Sequence, residues 1–142
     1  MTQHRSIARL MDANGNRALE GLRVCEEIAR FHCEAAGLFR QTRRVRHALG
    51  QALGRLPVSP FERVRARASR RDPGRRAASH PVASLEQLLI INFQRAKEAL
   101  RTLEECARLA APSHTKRFQD LRFRTYALER AFLLHLAAVR HH

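Results

Sequence analysis

The chain has 142 residues and a net charge of +14, and its hydrophobic content of 44% is enough for a single domain with a buried core. Val, Ile and Thr are few beside Ala, Leu, Arg and Glu, a composition that favours helices over sheets. No apolar run is long enough to span a bilayer, and the first residues lack the apolar region of a signal peptide. A membrane or secreted protein is therefore not expected, and we predict a cytoplasmic location.

The first two predicted helices form one hairpin. The first runs from about Ser6 or Asp12 to Glu34, and Gly37 is expected to be its C-terminal cap. The second covers roughly residues 38–55 and stops before a proline.

A basic, loop-rich connection of residues 56–83 follows and holds four of the five prolines. Residues 37–83 carry twelve basic and two acidic side chains, a net charge of +10. A short helix is predicted at 61–69 and a loop at 70–83. A surface of this sign attracts phosphate groups, and arginine, which makes up most of the basic residues, binds them in bidentate fashion. A genome rich in G and C would produce the same excess of arginine.

The second predicted hairpin begins with a capping box. Ser84 and Gln87 have the spacing of this motif, and they open a third helix at 85–110. A fourth helix is predicted at about 114–139. Cys25 and Cys106 fall at apolar positions of the first and third helices, so we expect buried thiols and not a disulfide or zinc site.

The two hairpins contain a repeated segment. NGNRALEGLRVCEEIARF at 14–31 and NFQRAKEALRTLEECARL at 92–109 are identical at ten of eighteen positions, at a constant offset of 78. We therefore predict an all-α, four-helix bundle in one domain, residues 1–142. It is built from two sequence-related hairpins at about 6–55 and 84–140, with approximate two-fold symmetry.

Each repeat places an Asn and an Arg inside the apolar arc of its helical wheel and a Glu at the edge of that arc. These residues are Asn14, Arg17 and Glu20 in the first repeat, and Asn92, Arg95 and Glu98 in the second. A buried arginine needs a carboxylate, a ligand or water. Two interpretations stay open. Each arginine pairs with the glutamate of the other repeat and fixes the register of the hairpins, or the Arg and Asn side chains face a shared cleft for phosphate groups.

Other charged residues are weaker candidates. Arg23 with Glu27, and Glu26 with Arg30, are expected to be pairs on the outer helix surface. Further phosphate donors could come from the second and fourth helices, at Arg44, Arg46, His47, Arg122, Arg124 and Tyr126. No P-loop, G-x-G-x-x-G or H-E-x-x-H pattern occurs, so the residues alone do not establish an enzyme.

Three segments resemble one family: DANGNRALEGLRVCEEIARF, INFQRAKEALRTLEECARL and KRFQDLRFRTYALE. The chain is similar, over roughly Ile7 to Arg130, to the small all-helical domain at the N-terminus of some bacterial thiamine-phosphate synthases. That family is associated with hydroxymethylpyrimidine-phosphate kinase activity. The resemblance implies a phosphotransferase that uses ATP and Mg²⁺ to convert hydroxymethylpyrimidine phosphate to the diphosphate in thiamine biosynthesis. Positioning and charge neutralisation would supply most of the catalysis.

The resemblance also suggests roles for individual residues. The predicted catalytic residues are Arg17, Arg95, Glu20 and Glu98. The predicted substrate- and phosphate-binding residues are Asn14, Asn16, Asn92, Arg23, Arg101, Arg122 and Tyr126. The metal ligands are unknown, although one of the two glutamates could help to hold Mg²⁺.

The chain departs from the family pattern in the loop at 70–80. It keeps Arg71, Asp72 and Gly74 but has arginines where the family has acidic residues. The altered loop motivates one alternative, a catalytically silent relative that binds a phosphorylated ligand or a partner enzyme. The net charge of +10 at 37–83 motivates another, a basic nucleic-acid-binding protein, which the scarcity of aromatic residues disfavours. The expected partner is a small phosphorylated pyrimidine. A thiamine-phosphate synthase and a second copy of the chain are further candidates, whereas nucleic acid and membrane are not expected.

Overall fold

The protein is described here from a computed structural model that covers residues 2–77 and 79–140. Over these residues the chain forms five α-helices and two short 3₁₀ helices, with no strand, which confirms the predicted all-helical fold. The α-helices are α1 (Gln3–Phe31), α2 (Ala36–Gly54), α3 (Pro60–Ala66), α4 (Leu85–Ala110) and α5 (Thr115–Arg140), and the 3₁₀ helices are Ser69–Arg71 and Pro112–His114. In the described part of the chain, no helix combines the length and apolar character that a membrane crossing requires.

The helix starts follow local capping signals. Thr2 Oγ1 accepts a hydrogen bond from the Arg5 N–H at 3.2 Å, so α1 begins earlier than predicted. Ser84 Oγ accepts from the Gln87 N–H at 3.1 Å, and α4 has the predicted limits. The second bond of the capping box differs from the motif, because Gln87 Oε1 accepts from the N–H of Ala83 at 2.8 Å and not from that of Ser84.

The turn between α1 and α2 differs from the prediction at Gly37. The left-handed residue in this turn is Glu34, with φ of 51°, and Gly37 lies in the first turn of α2. The predicted glycine cap is therefore wrong. The chain reverses direction within a few residues after Phe31, so α2 begins before the position at which a glycine cap was expected.

The four long helices each contact two others. α1 packs against α2 and α4, and α5 packs against the same two helices. Their apolar faces form one buried core, in which Phe93 of α4 meets Phe132 of α5 edge-on at a centroid distance of 5.2 Å. As a result, the surface between α1 and α4 and the surface between α2 and α5 lie on opposite sides of the molecule.

The two copies of the repeat pack directly on each other, in α1 and α4. At Gly21 the helices approach so closely that a Cβ atom would lie 2.9 Å from the carbonyl oxygen of Asn92. Nearby, the buried thiol of Cys25 lies 3.8 Å from the carbonyl oxygen of Leu89, and burial raises the pKa of this thiol. This contact brings the polar residues of the two repeats to one surface.

α3 and the basic connection are attached to the outside of α1. The guanidinium of Arg67 donates two hydrogen bonds of 2.9 Å to the carboxylate of Asp12, which is buried. This bidentate pair holds the end of α3 against α1. Residues 72–77 and 79–83 lie outside any helix, which agrees with the predicted loop, whereas Arg70 and Arg71 of that prediction belong to the 3₁₀ helix Ser69–Arg71.

Candidate functional site

A cleft of about 310 Å³ opens between α1 and α4, beside the contact of the two repeats. Four of its lining residues are predicted site residues, two from each repeat. The lining residues are Asn14, Arg17, Arg95, Glu98, Ala99 and Thr102. We call this the α1–α4 cleft.

The two arginines of the α1–α4 cleft are exposed and unpaired. Within residues 2–77 and 79–140, neither Arg17 nor Arg95 has an ion-pair or hydrogen-bond partner for its side chain. The interpretation in which each arginine pairs with a glutamate of the other repeat is therefore wrong for the described residues. The expectation that these side chains are buried is also wrong, because the long arginine stems extend beyond the helix contact into the cleft. Both guanidinium groups are free to bind an anion.

The two asparagines of the repeat are buried, as predicted, and both bond to their own helix. The Asn14 side chain donates to the carbonyl oxygen of Leu10 at 2.9 Å, and that of Asn92 donates to Leu88 at 2.8 Å. Only Asn14 lines the cleft, since Asn92 lies at the close helix contact with Gly21. The repeat thus supplies one buried amide to the cleft instead of two.

Glu98 gives the α1–α4 cleft its one carboxylate among the lining residues. Its side chain accepts a hydrogen bond of 2.9 Å from Gln94, and its backbone carbonyl accepts one of 3.3 Å from the Thr102 hydroxyl. Glu20, the equivalent residue of α1, is exposed and does not line the cleft. Two guanidinium groups against one carboxylate leave the lining with a net positive charge.

Four other predicted arginines belong to two ion-pair networks. In the first network Glu26 has only 2% of its side chain exposed, and Arg46 donates two hydrogen bonds to it, at 3.0 and 3.2 Å. Arg23 lies 3.5 Å from Glu26 and 3.1 Å from Glu27, which confirms the predicted Arg23–Glu27 pair. The outer position predicted for Glu26 is wrong, since α2 covers this part of α1 and Arg46, not Arg30, pairs with it.

The second network repeats this arrangement between α4 and α5. Arg122 donates to the buried carboxylate of Glu104 at 3.1 Å. Arg101 lies 3.6 Å from Glu104 and 3.2 Å from Glu105. Carboxylates already neutralise these arginines. None of the arginines in the two networks lines the α1–α4 cleft. Their phosphate-binding role stays a prediction.

The remaining predicted residues, Asn16 and Tyr126, also lie away from the cleft. Asn16 is exposed, and its amide lies 3.5 Å from the carboxylate of Asp12. The ring of Tyr126 lies under the Lys97 ammonium at 4.6 Å, and Lys97 also bonds to Glu129 at 2.8 Å. Their roles in binding a substrate stay untested.

Sequence reasoning did not identify Ala99 and Thr102 as cleft residues. The signal was present, because they follow Arg95 by four and seven positions and so lie on the same helix face. Within residues 2–77 and 79–140 there is no group of three or more His, Cys, Asp or Glu side chains that could hold a metal ion. ATP and Mg²⁺ stay predictions.

The sequence matches one protein family and a set of longer relatives. The sequence model of the ThiD2 family matches residues 9–131. Curated relatives named thiamine-phosphate synthase are 39% identical in Thermosynechococcus vestitus, 38% in Nostoc punctiforme and 31% in Rhodopirellula baltica. These alignments cover 90%, 91% and 96% of the chain but 36%, 36% and 37% of the relatives, so the chain spans little more than a third of their length. No solved structure matches.

These comparisons confirm the predicted resemblance to a domain of thiamine-phosphate synthases and correct the predicted activity. The prediction of a hydroxymethylpyrimidine-phosphate kinase is contradicted, because the relatives are named as a synthase of thiamine biosynthesis and not as that kinase. The unpaired arginines of the α1–α4 cleft account for anion binding but do not, by themselves, account for phosphoryl transfer.

Proposed function

The chain belongs to the ThiD2 family, and we propose that its α1–α4 cleft binds a phosphorylated small molecule of thiamine biosynthesis. One observation carries the proposal: Arg17 and Arg95, from equivalent positions of the repeat, line one cleft with unpaired guanidinium groups. The first candidate ligand is hydroxymethylpyrimidine phosphate, and the second is thiamine phosphate, the compound in the relatives' name.

The lining suits such a ligand. Guanidinium groups bind phosphate oxygens through pairs of parallel, charge-assisted hydrogen bonds. We assign the phosphate to Arg17 and Arg95. Glu98 would accept hydrogen bonds from an amino group of the pyrimidine, and the Asn14 amide and Thr102 hydroxyl would orient the ring. The volume of about 310 Å³ matches the lower end of ordinary small-molecule sites.

We further propose that the domain acts together with a thiamine-phosphate synthase. The relatives that carry this name are nearly three times as long as the matched region, so the domain occurs there beside additional chain. We also infer that the two hairpins form a four-helix bundle with approximate internal two-fold symmetry. The recurrence of the buried Glu–Arg networks in both hairpins supports this arrangement.

Isothermal titration calorimetry of the full chain tests the ligand proposal. Hydroxymethylpyrimidine phosphate and thiamine phosphate are titrated beside the unphosphorylated pyrimidine, with and without Mg²⁺ and ATP. We expect phosphate-dependent binding. Arg17→Gln and Arg95→Gln should each weaken it about ten-fold, since a hydrogen bond to a charged group contributes about 1.5–3 kcal/mol.

Arg130→Gln is the matched control, because it removes one exposed arginine of α5 that does not line the cleft. This variant should bind like the parent protein. Equal affinity for the phosphorylated and unphosphorylated pyrimidine, or full affinity in both cleft variants, would show that the proposed site is wrong.

A further inference from the structure

A second concave surface lies between α2 and α5, on the side of the molecule opposite the α1–α4 cleft. It consists of two adjoining cavities of about 420 and 210 Å³ that share Arg124. Its lining contains five basic residues and one acidic residue. They are Arg44, Arg55, Lys116, Arg117, Arg124 and Asp120. We call this surface the α2–α5 groove.

The basic side chains of the α2–α5 groove are unpaired. Within residues 2–77 and 79–140, none of the five has a side-chain hydrogen bond or ion pair, not even with Asp120. On the same two helices, Arg46 and Arg122 point toward α1 and α4 and bind buried carboxylates. Arginines of α2 and α5 therefore differ by direction: those facing the other helices are neutralised, and those facing the groove are not.

We propose that the α2–α5 groove binds a linear polyphosphate chain, such as the triphosphate of a small molecule, at a site independent of the α1–α4 cleft. Five cations collected in one concavity repel one another, and a multiply charged anion removes that repulsion as it binds. Four of the five are arginines, which bind successive phosphate groups in bidentate fashion. The larger cavity alone has the volume of a small-molecule site, and the lining residues of the two cavities follow one another along α2 and α5, as a linear anion requires.

The groove favours a small anion over a nucleic acid. No aromatic side chain is among its lining residues, so it offers no surface on which bases could stack. Phe123 and Tyr126, the exposed aromatic residues of the same stretch of α5, do not line it. The cations also line the walls of a concavity, which a narrow phosphate chain enters more readily than a duplex does.

The test uses inorganic tripolyphosphate as the probe, titrated into the full chain at low ionic strength. The double variant Arg117→Gln, Arg124→Gln should bind it at least about ten-fold more weakly, because two charge-assisted contacts are lost. The matched control is Arg40→Gln, Arg43→Gln, which removes the same charge from exposed positions of α2 that do not line the groove. That control should change the affinity less than about three-fold, because exposed charges that do not line the groove act on the anion only through screened attraction.

Three results would overturn the proposal. The first is an equal loss of affinity in the control pair, which would mean that the net charge alone attracts the anion. The second is binding of orthophosphate as tight as that of tripolyphosphate. The third is a DNA duplex that binds more tightly than tripolyphosphate and loses affinity in the Arg117→Gln, Arg124→Gln variant, which would make the groove a nucleic-acid interface. The two sites are tested with different ligands and different variants, hydroxymethylpyrimidine phosphate for the α1–α4 cleft and tripolyphosphate for the α2–α5 groove, so failure of one proposed site does not decide the other.

Discussion

The α1–α4 side and the α2–α5 side of the molecule differ in how far acidic residues balance their basic residues. α1 and α4 carry nine basic and eight acidic residues, whereas α2 and α5 carry ten basic and two acidic. On the first side Arg23, Lys97, Arg101 and Arg108 each have a carboxylate within 4 Å, whereas Arg17 and Arg95 face the α1–α4 cleft unpaired. On the second side most basic residues have no carboxylate partner among the described residues. An anion site there depends on how many of these cations lie close together.

This difference predicts two kinds of anion recognition. A site with two free guanidinium groups among balanced charges selects a ligand by the geometry of one phosphate group. A groove with five unpaired cations attracts any anion whose charge extends along it, and salt screens that attraction strongly. The two sides are joined by the ion pairs Glu26–Arg46 and Glu104–Arg122, in which acids of one side neutralise arginines of the other.

Breaking one of these joining pairs should have the largest effect on stability. Glu26→Gln leaves Arg46 beside a neutral amide, and Arg46 is only 19% exposed, so water compensates its charge in part. We expect the free energy of unfolding to fall by about 2 kcal/mol, less than for a fully buried pair because of this exposure. Urea denaturation of the variant and the parent measures it.

Glu27→Gln is the matched control, because it makes the same chemical change one residue away in an exposed helix-surface pair. It should lower the free energy of unfolding by about 0.5 kcal/mol or less. Similar losses in the two variants would mean that the buried pair does not join the two sides of the molecule as described.

The sequence predicted the parts of this fold that depend on local patterns. The limits of α4 followed from Ser84 and the apolar spacing, and the repeat placed Asn14, Arg17, Arg95 and Glu98 at equivalent positions. A helical wheel does not show which other helix packs on a given face of a helix. Arg17 was therefore predicted to be buried and proved exposed.

Glu26 shows the opposite error. It has the sequence context of a surface pair, with an arginine four residues later, yet α2 covers it and a distant arginine neutralises it. The α2–α5 groove could not be predicted for the same reason, since Arg44 and Arg55 lie more than sixty positions before the basic residues of α5 that line it with them. Local propensity carries no information about such pairings between helices.

Two glycines, one on each side of the molecule, differ in how closely their surroundings pack. Gly21→Ala would place a Cβ atom 2.9 Å from the Asn92 carbonyl oxygen and push α1 and α4 apart. We expect a loss of about 1–2 kcal/mol in the free energy of unfolding, even after the gain in helix propensity. At Gly50 of α2 an added Cβ atom meets no neighbouring side chain within 4 Å among residues 2–77 and 79–140, so Gly50→Ala should raise the free energy of unfolding by about 0.5–1 kcal/mol. Thermal and urea unfolding of both variants would contradict this picture if the two changes had the same sign.

The smallest expected effect is on stability and concerns the α2–α5 groove, where repulsion between the cations should destabilise the folded protein. Arg124→Gln removes the cation shared by both cavities, so it should raise the free energy of unfolding by about 0.3–0.5 kcal/mol at low ionic strength. Salt screens exposed charges, so this gain should disappear near about 1 M NaCl, where the Debye length is about 3 Å. Arg23→Gln is the opposite case on the α1–α4 side, because Arg23 forms ion pairs with Glu26 and Glu27. This variant should lower the free energy of unfolding at low salt. If Arg124→Gln also lowered stability at low salt, the groove cations would not repel one another. The binding of an anion would then draw no free energy from the removal of such repulsion.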